Sequence, residues 1–332
     1  MLVKVICFGV DDVLKSDFIL NAAKGASMIN GSINICLKRA IVVSLLSSVV
    51  YLPSVSASGK PSFSPFSVSV SRIDTAEADI GEGQNTLQRS SWLFDANAKL
   101  PLNKQWSLGF NLGYGDLNYD WKQDGSSILN RQLQGWQQVH RYSAGVSLSY
   151  RLNKHWMFMV APKLQYAYAD TAKSSNASSY GVVASGMYRF GNGNLLGLGV
   201  AYLNDISEVR TVPFLAVNWQ INDSWRLGNP FAAGFTGPAG LELSYQLSPS
   251  VDFGFGASKR TQRFLLEDDD TTVEVDEWVS FLRAGWRVSE SVTLTGYAGY
   301  YFNGELELNK PQVEVETIDS QGALAIAAEY RF

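Results

Sequence analysis

Cysteine is nearly absent: the 332 residues hold two, Cys7 and Cys36, both near the start. Histidine is equally scarce, with His140 and His155 the only two. Neither supply supports a disulfide scaffold or a Cys/His metal centre. Outside the first 57 residues no apolar run reaches the roughly 18 residues that a membrane helix needs, and the mean hydropathy of -0.05 excludes a helical multispan protein. A G-x-S-x-G elbow is missing, as is any basic excess: 27 Lys and Arg face 31 Asp and Glu, a net charge of -4. Nucleic acid is therefore not an expected partner.

What is present begins with a processing signal. Lys38-Arg39 precede the apolar run Ala40 to Leu52, followed by Pro53 and the small-residue end Val55-Ser56-Ala57. That is the order of a secretory signal peptide, with cleavage expected after Ala57. Residues 1–27 read as an upstream extension foreign to such a signal, with Met28 the expected start and 28–57 the signal peptide. Both cysteines then leave with it, and the mature chain, 58–332, keeps 22 basic and 28 acidic residues. Ser58 stands where a lipoprotein would need Cys.

The mature chain alternates with period two. Trp106, Leu108, Phe110, Leu112 and Tyr114 oppose Gln105, Ser107, Gly109, Asn111 and Gly113. The same pattern recurs over 141–152 and 292–303. Alternation of this kind puts one apolar and one polar face on a strand. Segments of about ten such residues, repeated along a whole chain, suit a membrane barrel better than a soluble sandwich. Between them a turn recurs: Leu102-Asn103-Lys104-Gln105-Trp106, Leu152-Asn153-Lys154-His155-Trp156, Ile221-Asn222-Asp223-Ser224-Trp225, Leu247-Ser248-Pro249-Ser250-Val251 and Val288-Ser289-Glu290-Ser291-Val292, with Gly191-Asn192-Gly193-Asn194 as a sixth. Asn, Ser, Gly and Pro supply tight hairpin geometry.

Six short turns with both termini on their side fit an all-β, antiparallel up-and-down transmembrane barrel of fourteen strands, or twelve if the 64–101 region packs inside. The strands are expected near 64–74, 89–101, 105–116, 136–152, 155–170, 179–190, 195–204, 208–220, 224–234, 239–248, 250–264, 274–288, 291–306 and 321–332. Pro162, Pro213 and Pro230 fall inside strands, where a missing donor predicts bulges or shortened strands. Long connections, 75–88, 117–135, 265–273 and 307–320, are expected on the extracellular side. An aromatic girdle is expected at the periplasmic turns from Trp106, Tyr150, Trp156, Tyr188, Trp219, Trp225, Tyr245 and Trp286.

By parity the inward face collects Asp95, Lys99, Arg141, Arg151, Lys163, Arg189, Glu242, Asp252, Glu277, Arg283, Arg287, Glu329 and Arg331, eight basic residues to five acidic. These are the candidate pore-lining residues, giving an anion-preferring pore or a salt-bridged filling of the lumen. The acidic run Glu267-Asp268-Asp269-Asp270 lacks the spaced ligands of a Ca²⁺ loop and reads as a solvated face. No metal or other cofactor is expected. His140 and Ser143 have opposite parity, so they cannot form a Ser-His pair, and no catalytic residue is assigned.

The last stretch, QGALAIAAEYRF, alternates to a free terminal Phe332 with Tyr330 on the same face. Bacterial outer-membrane barrels end this way, and the resemblance implies that Tyr330 and Phe332 form the signal read by the barrel-assembly machinery. With Gly237-Pro238-Ala239-Gly240-Leu241-Glu242-Leu243, Phe253-Gly254-Phe255 and Arg263-Phe264, the chain resembles an uncharacterised family of Gram-negative outer-membrane barrels. That implies outer-membrane location, with lipid and lipopolysaccharide as surroundings, and leaves oligomeric state open. Outer-membrane fatty-acid transporters also use fourteen strands but begin with an apolar helical plug; Ser58 to Gln88 is too short and polar for one, which argues against lipid uptake. The expected function is a passive or gated channel for small solutes, against a closed surface-interaction barrel or a lipid-modifying enzyme.

Overall fold

The computed structural model describes residues 65–81, 85–123, 136–206, 208–230, 234–267, 270–310 and 313–332. The signal peptide, the upstream extension and the cleavage site lie outside these residues, as do Asp268 and Asp269. The described residues belong to one compact unit, Gly59–Phe332.

Fourteen staves make up the sheet. They are β1 (Phe66–Thr75, continued by Ala78–Ile80), β2 (Asn85–Pro101), β3 (Trp106–Gln123), β4 (Gln138–Arg151), β5 (Trp156–Ala169), β6 (Ser178–Arg189) and β7 (Leu195–Asp205). The second half comprises β8 (Glu208–Gln220), β9 (Trp225–Gly228), β10 (Ala239–Ser248), β11 (Val251–Glu267), β12 (Thr271–Arg287), β13 (Val292–Leu308) and β14 (Glu314–Ile318, continued by Gln321–Arg331). Each stave pairs antiparallel with its sequence neighbours. The ring closes where β1 meets β14, from Ser67 opposite Arg331 to Thr75 opposite Ala323, while its other edge pairs with β2. An even number of alternating staves is what lets first and last meet antiparallel, so the sheet has no free outer edge at the seam. Phe332 N–H donates to Phe66 O at 3.0 Å, fastening the C-terminus to the first stave.

The recurrent turn works through its second residue. Asn103 Oδ1 accepts from the backbone of Gln105 and Trp106 at 2.8 and 2.9 Å, while Leu102 N–H reaches Trp106 O at 2.9 Å. Asn153 and Asn222 repeat this geometry, and Ser248 and Ser289 offer their hydroxyls in its place. The side chain stands in for a backbone acceptor and leaves strand parity unchanged across the turn.

Two expectations need correction. The stave expected over 224–234 ends at Gly228, because Asn229-Pro230 breaks the ladder, and Phe235 further on is buried inside the barrel. The described parts of the long connections are mostly strand: β11 and β12 run on to Glu267 and from Thr271, β13 reaches Leu308, and β3 reaches Gln123. Residues 75–88 likewise hold the end of β1 and the start of β2. Far from the short turns the staves therefore outrun the membrane band. At Pro162 the β4–β5 ladder skips from Gly145–Lys163 to Leu148–Val160, the irregularity that a missing N–H requires.

Candidate functional site

Along most staves, parity sends large apolar side chains outward. Leu198 is 67% exposed, and Phe110, Val146, Phe158, Val200, Phe255, Leu282 and Ile326 are exposed beside it on the same outer surface. A band of this extent is insoluble in water and requires acyl chains around it. On the turn side, Trp106 lies 4.5 Å from Tyr150, Trp156 5.1 Å from Tyr188, and Trp225 4.8 Å from Tyr245, centroid to centroid. Trp219 meets Phe190 at 5.4 Å, Tyr330 meets Phe332 at 4.9 Å, and Trp286 is exposed. A second aromatic row, not singled out in the sequence, holds Trp92, Tyr114 and Tyr142 at the other edge of the band. Eight residues separate Trp106 from Tyr114, about 26 Å along a strand, which matches a thin hydrocarbon layer crossed at a tilt.

Inside, the lumen changes character along its length. Toward the short turns lies a cavity of about 620 Å³, lined by Ser67, Ser69, Asn97, Asp252, Arg283, Arg287, Thr293, Glu329 and Arg331 among others. Arg283 Nε donates to Glu242 Oε1 at 2.9 Å and its Nη2 pairs with Asp252, so three expected pore-lining charges form one cluster. Arg331 pairs with Glu329 at 2.9 Å. Lys99, Arg151 and Arg189 sit at the turn-side ends of β2, β4 and β6. Arg141 and Lys163 project from the opposite wall, where Asp95 feels the field of both. No salt bridge is formed by either among the described residues. Glycines leave room for Asp95 and Arg141: a Cβ on Gly113 would lie 3.0 Å from Asp95 Oδ1, and one on Gly115 3.4 Å from Arg141 Nε.

Residues 234–238, which precede β10, lie above this cavity. Phe235 is 0% exposed, stacked at 5.3 Å on Tyr297 and 5.4 Å from Tyr301, and its ring lies where a Cβ on Gly299 would fall. Gly234, at φ +75°, presses against Leu93 and Ile73 of the opposite wall, a conformation and an approach that suit glycine alone. Tyr301 Oη donates to Phe235 O at 3.0 Å and accepts from Arg260 Nη1 at 2.7 Å. Glu277 holds Arg89 through two bonds of 2.6 and 3.1 Å and lies 3.7 Å from Arg260 Nε. All four side chains are buried, and the cluster is an electrostatic latch in which two arginines share the one carboxylate of Glu277.

Beyond the latch the inward positions become apolar. Leu87, Leu117, Tyr119, Trp136, Val139, Phe264, Val273, Val275, Leu306 and Leu308 fuse into a buried cluster across the far end. Arg210, Arg263 and Glu274 tie the β7–β8 tip to β11 and β12 beside it. His140 rests against Tyr168 at 5.7 Å, while His155 Nδ1 meets Arg189 O at 2.9 Å within a turn. No group of metal-binding side chains is found among the described residues.

Residues 95–315 match the family described as a domain of unknown function, DUF6268. The chain belongs to it. No curated protein matches. Among solved structures, this DUF6268 barrel is similar to an outer membrane channel of the COG4313 group from Pseudomonas putida F1, with 11% identity, a TM-score of 0.45 and coverage of 84% of this chain and 100% of that one. A Pseudomonas aeruginosa FadL homologue gives 11%, 0.45, 80% and 89% on the same measures, and the KdgM porin in complex with disordered oligogalacturonate 8%, 0.32, 80% and 99%.

Proposed function

We propose that this DUF6268 barrel is an outer-membrane channel for small solutes, gated and resting closed. One observation carries the reading: a polar cavity of about 620 Å³ leads in from the turn side and ends at the buried Phe235 segment and the apolar cluster behind it. A barrel serving only as a surface scaffold has no need of a hydrated vestibule, and a permanently open pore has no need of a latch. In this reading the short turns and both strand ends face the periplasm, and Tyr330 and Phe332 present the assembly signal there. Lipopolysaccharide surrounds the opposite rim. Lys99, Arg151, Arg189 and Arg287 ring the periplasmic mouth and favour anions.

Phe235→Ala tests it. Deleting a fully buried ring costs the packed state about 3–5 kcal/mol, and that loss falls on the closed conformation. Planar-bilayer conductance should rise at least tenfold in open probability, with reversal potentials on the anion side. A folded, heat-modifiable barrel that stays silent in both forms would favour the second reading, a surface-interaction barrel working through the staves that extend beyond the band.

A further inference from the structure

The latch carries a surplus positive charge. Arg89 and Arg260 share the single carboxylate of Glu277, and all three side chains are buried. Arg141 on β4 adds a third guanidinium within electrostatic reach of Arg260. Its own counter-charge is Asp95, which also lies in the field of Lys163. Together these four cations face two carboxylates. Buried charge is costly unless an opposite charge accompanies it, and hydrogen bonds to neutral groups do not cancel it.

Beside the latch is a narrow cavity of about 10 Å³, lined by Thr75, Arg89 and Ser91, by Tyr119, and by Arg260 and Gln262 among others. Register explains the grouping. Arg89 stands opposite Tyr119 on the β2–β3 ladder, and Glu277 draws Arg260 of β11 toward them from the facing wall. Two buried groups of these lining residues have no hydrogen-bond partner among the described residues, Arg89 Nε and Tyr119 Oη. Arg89 is 6% exposed and Tyr119 3%. Both Nη atoms of Arg89 grip Glu277, which leaves Nε to face elsewhere. Thr75 Oγ1 is already engaged with the backbone N–H and O of Arg89.

A cavity that joins unpartnered donors to surplus positive charge selects its occupant by charge and by size. Water would accept from both donors and leave the charge uncompensated. A carboxylate or phosphate would supply the charge but exceed a space that suits one small particle. A single-atom anion meets both requirements. We propose that this cavity is a halide site, taking one chloride between Arg89 and Tyr119 on one wall and Arg260 on the other. The ion compensates the second arginine of the latch and fastens β2 and β3 to β11 across the lumen. This inference goes beyond the channel reading and stands without it, because it concerns the resting barrel alone.

The test is urea unfolding of the mature chain refolded in detergent micelles, with sodium glutamate exchanged stepwise for sodium chloride at constant ionic strength. An anion held only by the folded state raises the folding constant in proportion to its concentration once the site is filled, so the native chain should gain about tenfold for each tenfold rise in chloride. Sodium bromide should act in the same way. Tyr119→Phe keeps the ring and removes the donor, and Ser91→Val fills the cavity with methyl groups should the first variant fail to fold. Both should lose the chloride dependence. A dry or water-filled cavity predicts the opposite: Tyr119→Phe then only removes an unsatisfied hydroxyl, leaving a barrel at least as stable as the native one in every salt, with an unchanged chloride slope. Equal slopes in the native chain and the folded variants, or no chloride dependence in the native chain, overturn the site. Bilayer conductance keeps the two claims apart, since a silent barrel that shows the chloride slope retains the halide site and loses only the channel.

Discussion

Tyr301→Phe removes a single hydroxyl from the latch and keeps the ring that packs on Phe235. The oxygen makes two bonds, to Phe235 O at 3.0 Å and to Arg260 Nη1 at 2.7 Å. The Arg260 bond joins two wall residues of β11 and β13, so it is lost equally whether the crossing segment is seated or displaced. Only the bond to Phe235 distinguishes the two states. Leaving that buried carbonyl without its donor costs the seated state about 1–3 kcal/mol. A difference of this size shifts a two-state equilibrium by roughly 5- to 150-fold. Both arginines still lie over the ring, Arg260 at 5.3 Å and Arg89 at 5.6 Å, so the barrel should fold normally. Single-channel recording would show a rise in open probability within that range at unchanged unit conductance. An unchanged open probability in a correctly folded variant would refute the assignment of Tyr301 as the clasp on the crossing segment.

Gly299→Val should displace the same segment by sterics, because a Cβ there falls 2.7 Å from Ser280 O and 2.8 Å from the Phe235 ring; raised conductance with a preserved β spectrum is the expected result. Glu277→Gln leaves Arg89 and Arg260 facing each other without their shared anion, and breaking a buried pair costs about 3–5 kcal/mol, so the urea midpoint of the folded barrel should fall markedly. Asn103→Ala exposes two backbone N–H groups to water instead of Oδ1, and with a net worth of about 1 kcal/mol per bond the expected drop in the same titration is no more than about 2 kcal/mol.

How much of this was readable beforehand differs by layer. Period-two alternation and the Asn-capped turns give the stave number and the outward faces, since both depend on local geometry that neighbouring residues encode. The end of β9 was encoded too: Gly228-Asn229-Pro230 is turn punctuation, and Pro230 predicted a bulge or a shortened strand there, of which the structure takes the second. The filled lumen has a subtler signature. In β11 to β13 the inward positions Phe264, Val275, Leu306 and Leu308 are as apolar as outward ones nearer the turns, and apolar residues on an inward face mean packing against the opposite wall. The latch could not be read at all. Arg89, Arg260, Glu277 and Tyr301 come from four staves, and the pairing of Arg89 with Glu277 spans 188 positions. Only the register of the closed ring brings them together.

The most direct measurement is single-channel conductance of the chain from Ser58 to Phe332, refolded into a planar bilayer and held across a salt gradient. The account predicts long closed intervals broken by discrete steps, with a reversal potential on the anion side and openings that become frequent in Phe235→Ala. A permanently open step in the native chain would contradict the gate. Silence from the native chain and from Phe235→Ala, both folded and heat-modifiable, would contradict the channel.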